Sequence, residues 1–200
     1  MAAKEIIKPG KHDQPIIPFA SQQLWEQWLE QNHLEANGVW IQFYKKNSGI
    51  ASVTYPEAVD SALCYGWIDA QLKSIDELSY KQHYTPRRPK SIWSKRNIEH
   101  IARLTLEGRI KPAGLKQVEA AKADGRWAAA YDSPQNMILP EDFESKLAKN
   151  KTASAFYESL NKTNKYAICW RIQTAKRPET KEKRMKEILE MLERGEKFHL

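Results

Sequence analysis

The chain has 200 residues, 41% of them hydrophobic and 10% aromatic, with seven tryptophans. That is enough apolar material for a packed core and argues against general disorder. The formal net charge is +7, and no apolar run approaches the ~20 residues that cross a bilayer.

The first helix is expected from Ser21, a natural N-cap, to about Glu35, with Leu24, Trp25, Trp28 and Leu29 as its apolar stripe. Residues 1–20, broken by Pro9, Gly10, Pro15 and Pro18, read as a loose N-terminal arm. Val39–Tyr44 is β-rich, and Lys45–Gly49 is a turn. Thr54 caps a second helix, with Pro56 and Glu57 in its first turn and Gly66 at its end.

Residues 67–75 and 79–85 form a hairpin. A two-residue turn sets Asp69 opposite Tyr84 and mixes polar with apolar faces. A three-residue turn, Asp76-Glu77-Leu78, sets Ile75 opposite Ser79 and Gln71 opposite His83. Asp69, Gln71, Lys73, Lys81, His83 and Thr85 then share one face, and Ile68, Ala70, Leu72, Tyr80 and Tyr84 the other. The second register is preferred, because slipping by one residue buries charge.

Helices follow from Ser94 to about Glu107, Pro112 to Ala123, Pro140 to Leu147, Thr152 to Leu160, Asn164 to Ala175 and Pro178 to about Arg194. Residues 126–139 are an irregular connection. The expected class is α+β, a small antiparallel sheet with packed helices followed by an all-helical C-terminal part. The expected divisions are an arm at 1–20, an α+β domain at 21–137 and a helical domain at 138–200.

The run Tyr84-Thr-Pro-Arg-Arg-Pro-Lys-Ser-Ile-Trp-Ser-Lys-Arg-Asn97 holds five basic residues and no acidic one. Residues 81–126 hold twelve Lys or Arg against four Asp or Glu, a net of +8, so this quarter carries the whole excess. A localised excess points to an anionic partner. Lys95 and Arg96 follow the cap Ser94, where cations oppose the helix dipole unless an anion binds there. Arg87, Arg88, Lys90, Ser94, Lys95 and Arg96 are therefore the candidate anion-binding residues. Asp69, His83, Tyr84 and Trp93 are candidate supporting residues. The competing expectation is that Asp69, Asp76 or Asp132 neutralises the cluster and that the two rings are core.

No Cys/His spacing suits zinc, and no phosphate-binding glycine loop or Gly-x-Ser-x-Gly elbow is present. No metal, cofactor or catalytic residue is expected. Cys64 and Cys169 lie far apart and read as buried, reduced thiols of a cytoplasmic protein, since the N-terminus has no signal-peptide stretch.

Several stretches together resemble the YdeI/OmpD-associated, or bacteriocin-protection, family. They are Gly38–Lys46, Ala62-Leu-Cys-Tyr-Gly-Trp-Ile-Asp69, the basic run 84–97, Gly125-Arg-Trp127 with Ala130-Tyr-Asp132, and Ala175–Arg184. The resemblance covers about residues 22–195. Ala70 and Lys181 stand where the family usually has Gly and Arg. The resemblance implies a link to bacteriocin or antimicrobial-peptide tolerance and carries over no site residue.

The expected function is a non-enzymatic, anion-recognising module whose partner is an anionic small molecule, nucleic acid or an acidic protein surface. One alternative is a small enzyme acting on an anionic substrate, which needs His83, Asp69 and an arginine in one pocket. Another is a stress-tolerance protein acting through protein contacts, which needs an exposed apolar patch.

Overall fold

Short polar side chains open several of the helices. In the computed structural model, which describes residues 14–132 and 136–199, the Ser21 hydroxyl accepts the Leu24 N–H at 3.4 Å and starts α1 (Gln22–Asn32). Thr54 starts α2 (Tyr55–Cys64), its N–H and hydroxyl each donating to the Glu57 carboxylate at 2.8 Å. The remaining elements are β1 (Ile16–Pro18), β2 (Val39–Tyr44), β3 (Trp67–Ser74), β4 (Ser79–Pro86), α3 (Lys95–Leu106), α4 (Pro112–Ala123), α5 (Glu141–Ala148), α6 (Lys151–Ser159), α7 (Lys162–Gln173) and α8 (Pro178–Glu193). Helix α6 starts before Thr152 because Asn150 caps it, accepting the Ala153 N–H at 3.1 Å.

The α+β class is as expected, but the sheet is mixed. Its order is β1-β2-β4-β3. Strand β1, within the stretch read as a loose arm, pairs in parallel with β2 through Ile16↔Trp40, Ile17↔Ile41 and Pro18↔Gln42. Residues 1–13 of that arm lie outside the described residues.

The hairpin uses both registers. Ser74↔Tyr80, Lys73↔Lys81 and Leu72↔Gln82 follow the three-residue turn, whereas Asp69↔Tyr84, Ile68↔Thr85 and Trp67↔Pro86 follow the two-residue one. The shift falls between Asp69 and Leu72, so Ala70 and Gln71 together oppose His83 in a β-bulge. The bulge corrects the expected faces. Asp69 turns to the side of Gln82 and Tyr84, and Ile68 to the side of His83 and Thr85. Inward placement of a carboxylate is tolerated because Asp69 is hydrogen-bonded, accepting from Tyr55 Oη at 3.0 Å and Gln82 Nε2 at 2.9 Å.

The chain divides into two compact units. One contains the residues up to Ile92 with Asn97–Ala129, and the other contains Trp93–Arg96 with the residues from Ala130 on. In the first, Trp25 is fully buried and sits among Phe19, Trp28, Trp67 and Tyr84, with ring centroids 5.2–6.4 Å away. Its Nε1 donates to the Ala58 carbonyl at 3.1 Å, which fixes α1 on α2. Leu24, expected in the same stripe, is 46% exposed.

In the second unit, Phe143, Leu147, Tyr157, Ile168, Ile172, Met185, Ile188 and Leu192 pack together. Helix α8 contributes Met185, Ile188 and Leu192 and is held at its polar edge by Lys181–Asp142 and Lys146–Glu182 ion pairs, each 2.5 Å. Asn164, 1% exposed, donates to the His199 carbonyl at 3.2 Å and accepts the His199 N–H at 2.9 Å, which anchors the end of the described chain on α7.

Helix α4 approaches the end of α2 at Gly114. A Cβ there meets the Cys64 carbonyl oxygen at 2.3 Å and that of Leu63 at 2.8 Å. Backbone atoms cannot give way as a side chain does. Gly114→Ala is therefore expected to cost about 1–3 kcal/mol despite the better helix propensity of alanine. Urea denaturation measures it, and an unchanged or raised midpoint contradicts the contact.

Candidate functional site

The basic run leaves β4 at Pro86 and makes a tight turn. The Ser91 N–H donates to the Arg88 carbonyl at 2.9 Å, with Pro89 at the turn position its ring favours and Lys90 next to it. Two buried arginines brace this turn. Arg87, only 5% exposed, donates from Nη2 to the Ile92 carbonyl at 2.7 Å, and its own N–H donates to the Gly66 carbonyl at 2.9 Å. Arg126, 7% exposed, donates from Nη1 to the Ser91 carbonyl at 2.9 Å and pairs with Asp124 at 2.7 Å. Arg88 and Lys90 are exposed and pair with no carboxylate among the described residues.

Of the candidate anion-binding arginines, Arg88 and Arg96 are exposed and Arg87 is not. The Arg87 Nη2 bond to the Ile92 carbonyl ties the side chain to the loop backbone.

The start of α3 differs from the expected anion seat. The Lys95 N–H already donates to the Tyr131 carbonyl at 2.9 Å, and the Tyr131 N–H donates back to Trp93 at 3.0 Å. Lys95 Nζ pairs with Asp132 at 2.8 Å. The dipole penalty of that cation is therefore met by a carboxylate of the chain itself. Ser94 is buried and Arg96 exposed.

Tyr84 and Trp93 are 0% and 1% exposed, so neither presents a ring face for stacking. Burial pushes the Tyr84 phenol far up. His83 and Asp69 lie on opposite faces of the sheet because of the bulge, so they do not form the acid–base pair the enzyme alternative required. His83 instead packs at a tilt against Trp40, centroids 4.8 Å apart, and bonds to Gln14 through Nε2. Lys73 and Lys81 sit over Trp40 at 5.5 and 5.0 Å.

A charged network joins α1, α2 and α3 and was not foreseen from the sequence. Asp60 on α2 takes His100 Nδ1 on one oxygen and Arg103 Nη2 on the other, both at 2.6 Å. Arg103 also reaches Glu107 at 2.9 Å, Arg109 reaches Glu26 at 2.8 Å, and the Ser61 hydroxyl donates to the same Glu26 oxygen at 2.9 Å. Burial alone would raise the Asp60 carboxyl, but the hydrogen bonds and charges of Arg103 and His100 outweigh it and hold it below the usual carboxylate range. An ionised Asp60 only accepts, so His100 carries a proton on Nδ1. The i,i+3 spacing of His100 and Arg103 was visible in sequence; their partner forty positions away was not.

Cys64 is buried, and desolvation pushes its thiol up to about 11. Cys169 is buried and raised for the same cause. Neither is a poised nucleophile. Among the described residues no group of three or more His, Cys, Asp or Glu is placed to hold a metal ion, and no helix is long and apolar enough to cross a membrane.

Because the folded Asp60 carboxyl lies below its ordinary value of 3.8, its stabilisation is present above that pH and fades as pH falls through the folded value. Asp60→Asn is expected to cost about 1.5–3 kcal/mol at neutral pH. The gap to the parent should shrink below the ordinary value, and denaturation at stepped pH reads it. A gap independent of pH contradicts the ionised pairing.

No curated protein and no solved structure matches the chain. Residues 17–117 match the family described as "Domain of unknown function (DUF8412)", and residues 136–195 match the family described as "Bacteriocin-protection, YdeI or OmpD-Associated". The resemblance that runs over about 22–195 in sequence thus meets two adjacent family domains, one around the sheet and one around the C-terminal helices. The chain belongs to the DUF8412 family through the half that contains its sheet and carries the YdeI or OmpD-associated domain in its helical C-terminal part.

Proposed function

We propose that this chain is a non-enzymatic, anion-recognising module that contacts an extended polyanion, nucleic acid being the chemical type, through the turn at residues 86–92. The observation that carries the reading is the braced turn. Arg87 and Arg126 hold its carbonyls, while Arg88 and Lys90 stand exposed without a carboxylate. A loop held rigid before binding loses little conformational entropy on binding. The start of α3 is already occupied by Tyr131 and Asp132, so exposed cations favour a spread polyanion over a small anion in a pocket.

Free thiols at Cys64 and Cys169 suit a reducing, cytoplasmic setting. The bacteriocin-protection description supplies a cellular context for the reading. A peptide of like positive sign would be repelled by the +7 chain, so direct capture of such a peptide is disfavoured. A second reading, protein contact, has one feature in its favour: the hairpin tip exposes Leu72, Ile75 and Leu78 by 59%, 43% and 44%.

The test is binding of a duplex and a single-stranded oligonucleotide across a salt series. Affinity should fall with salt at a log–log slope of about −0.9 per phosphate neutralised on duplex. The double variant Arg88→Gln/Lys90→Gln should lose about 2 from that slope with stability within ~0.5 kcal/mol of the parent. Arg87→Ala should instead lose about 1–3 kcal/mol of stability. Binding indifferent to salt, or undiminished in the double variant, overturns the proposal.

A further inference from the structure

A cavity of about 760 Å³ opens within the C-terminal unit. Met137, Leu139, Tyr157, Tyr166 and Cys169 line it together with the polar residues Lys162, Thr163 and Lys165. Its volume is in the range that encloses a small organic ligand.

The wall is neutral. Burial pushes the Tyr157 phenol up to about 12, and burial raises the Tyr166 phenol and the Cys169 thiol as well. A thioether and a thiol among tyrosines make soft contacts with an aromatic body.

The two lysines are not equivalent. Lys165 is engaged, pairing with Glu158 at 3.0 Å and lying 5.0 Å from the Tyr157 ring centroid. Lys162, the first residue of α7, is exposed and pairs with no carboxylate among the described residues. One uncompensated cation beside an apolar hollow is complementary to one anionic head on an apolar body.

We infer that this cavity binds an apolar monocarboxylate, its body between Met137, Leu139, Tyr157 and Tyr166 and its head at Lys162. The site lies on the C-terminal unit alone and is independent of the turn at residues 86–92. Thr163, next along α7, offers a hydroxyl to the same head group. Glu158 is partnered by Lys165, which keeps its charge from opposing the carboxylate.

Calorimetric titration of the full chain with 2-naphthoate and its neutral isostere 2-naphthamide tests the assignment. The native protein should bind the carboxylate saturably, about tenfold more tightly than the amide. Lys162→Met, a change at an exposed position, should bring the two affinities together. Met137→Trp should fill the hollow and abolish binding of both. If Met137→Trp fails to fold, the Lys162→Met comparison decides alone. Absence of saturable binding, equal affinities for the two ligands, or an unchanged preference in Lys162→Met overturns the inference.

Discussion

A buried guanidinium seeks acceptors for its donors, and at the basic turn two arginines each place one donor on a backbone carbonyl. Arg87 takes Ile92 and Arg126 takes Ser91, at 2.7 and 2.9 Å. Leaving such donors unmet is costly, so the loop is held where its carbonyls can serve them. The consequence is a division of labour within one basic sequence. The inward arginines fix the backbone, and Arg88 and Lys90, on the turn itself, have nowhere to go but outward. Asp124, paired with Arg126, offsets the charge of that inward arginine.

Ion pairing decides which of the other cations are available. Arg103 and Arg109 are engaged by Asp60, Glu107 and Glu26, and Lys95 by Asp132. These cations belong to the same basic quarter of the sequence, yet they hold α1, α2 and α3 together or close the start of α3. Net charge alone gives them the same weight as Arg88. The structure separates them by whether a carboxylate lies within reach. The start of α3 is closed by Tyr131 and Asp132, whereas the turn presents Arg88 and Lys90 to solvent.

Much of the architecture was legible because local rules and tertiary structure agree. Ser21 and Thr54 start helices, Pro112 and Pro178 open two more, and the Pro112–Ala123 bounds of α4 are those read from sequence. The bulge at Ala70 and Gln71 was not legible. Alternation of Ile68, Ala70 and Leu72 favours a single register, and the reason to break it, an inward Asp69 held by Tyr55 and Gln82, lies on other elements. Strand β1 is three residues long and carries a proline, so it has no pattern of its own. At the candidate site, the charge run drew attention to residues 84–97, but the Arg-Pro-Lys-Ser turn inside it was not read from the sequence. Nor was which arginine turns inward, because the acceptors are carbonyls that any sequence supplies. The Asp60–His100–Arg103 cluster was hidden for the related reason that its carboxylate comes from a different helix.

The most direct test of the central claim is an amide ¹H–¹⁵N correlation spectrum of the intact chain titrated with a short oligonucleotide at low salt. The braced-turn account predicts that the largest shifts fall on the amides of Arg88, Lys90 and Ser91, with added salt reversing them. Shifts centred on the α8 cations or the hairpin tip, or none at ligand excess, would contradict it.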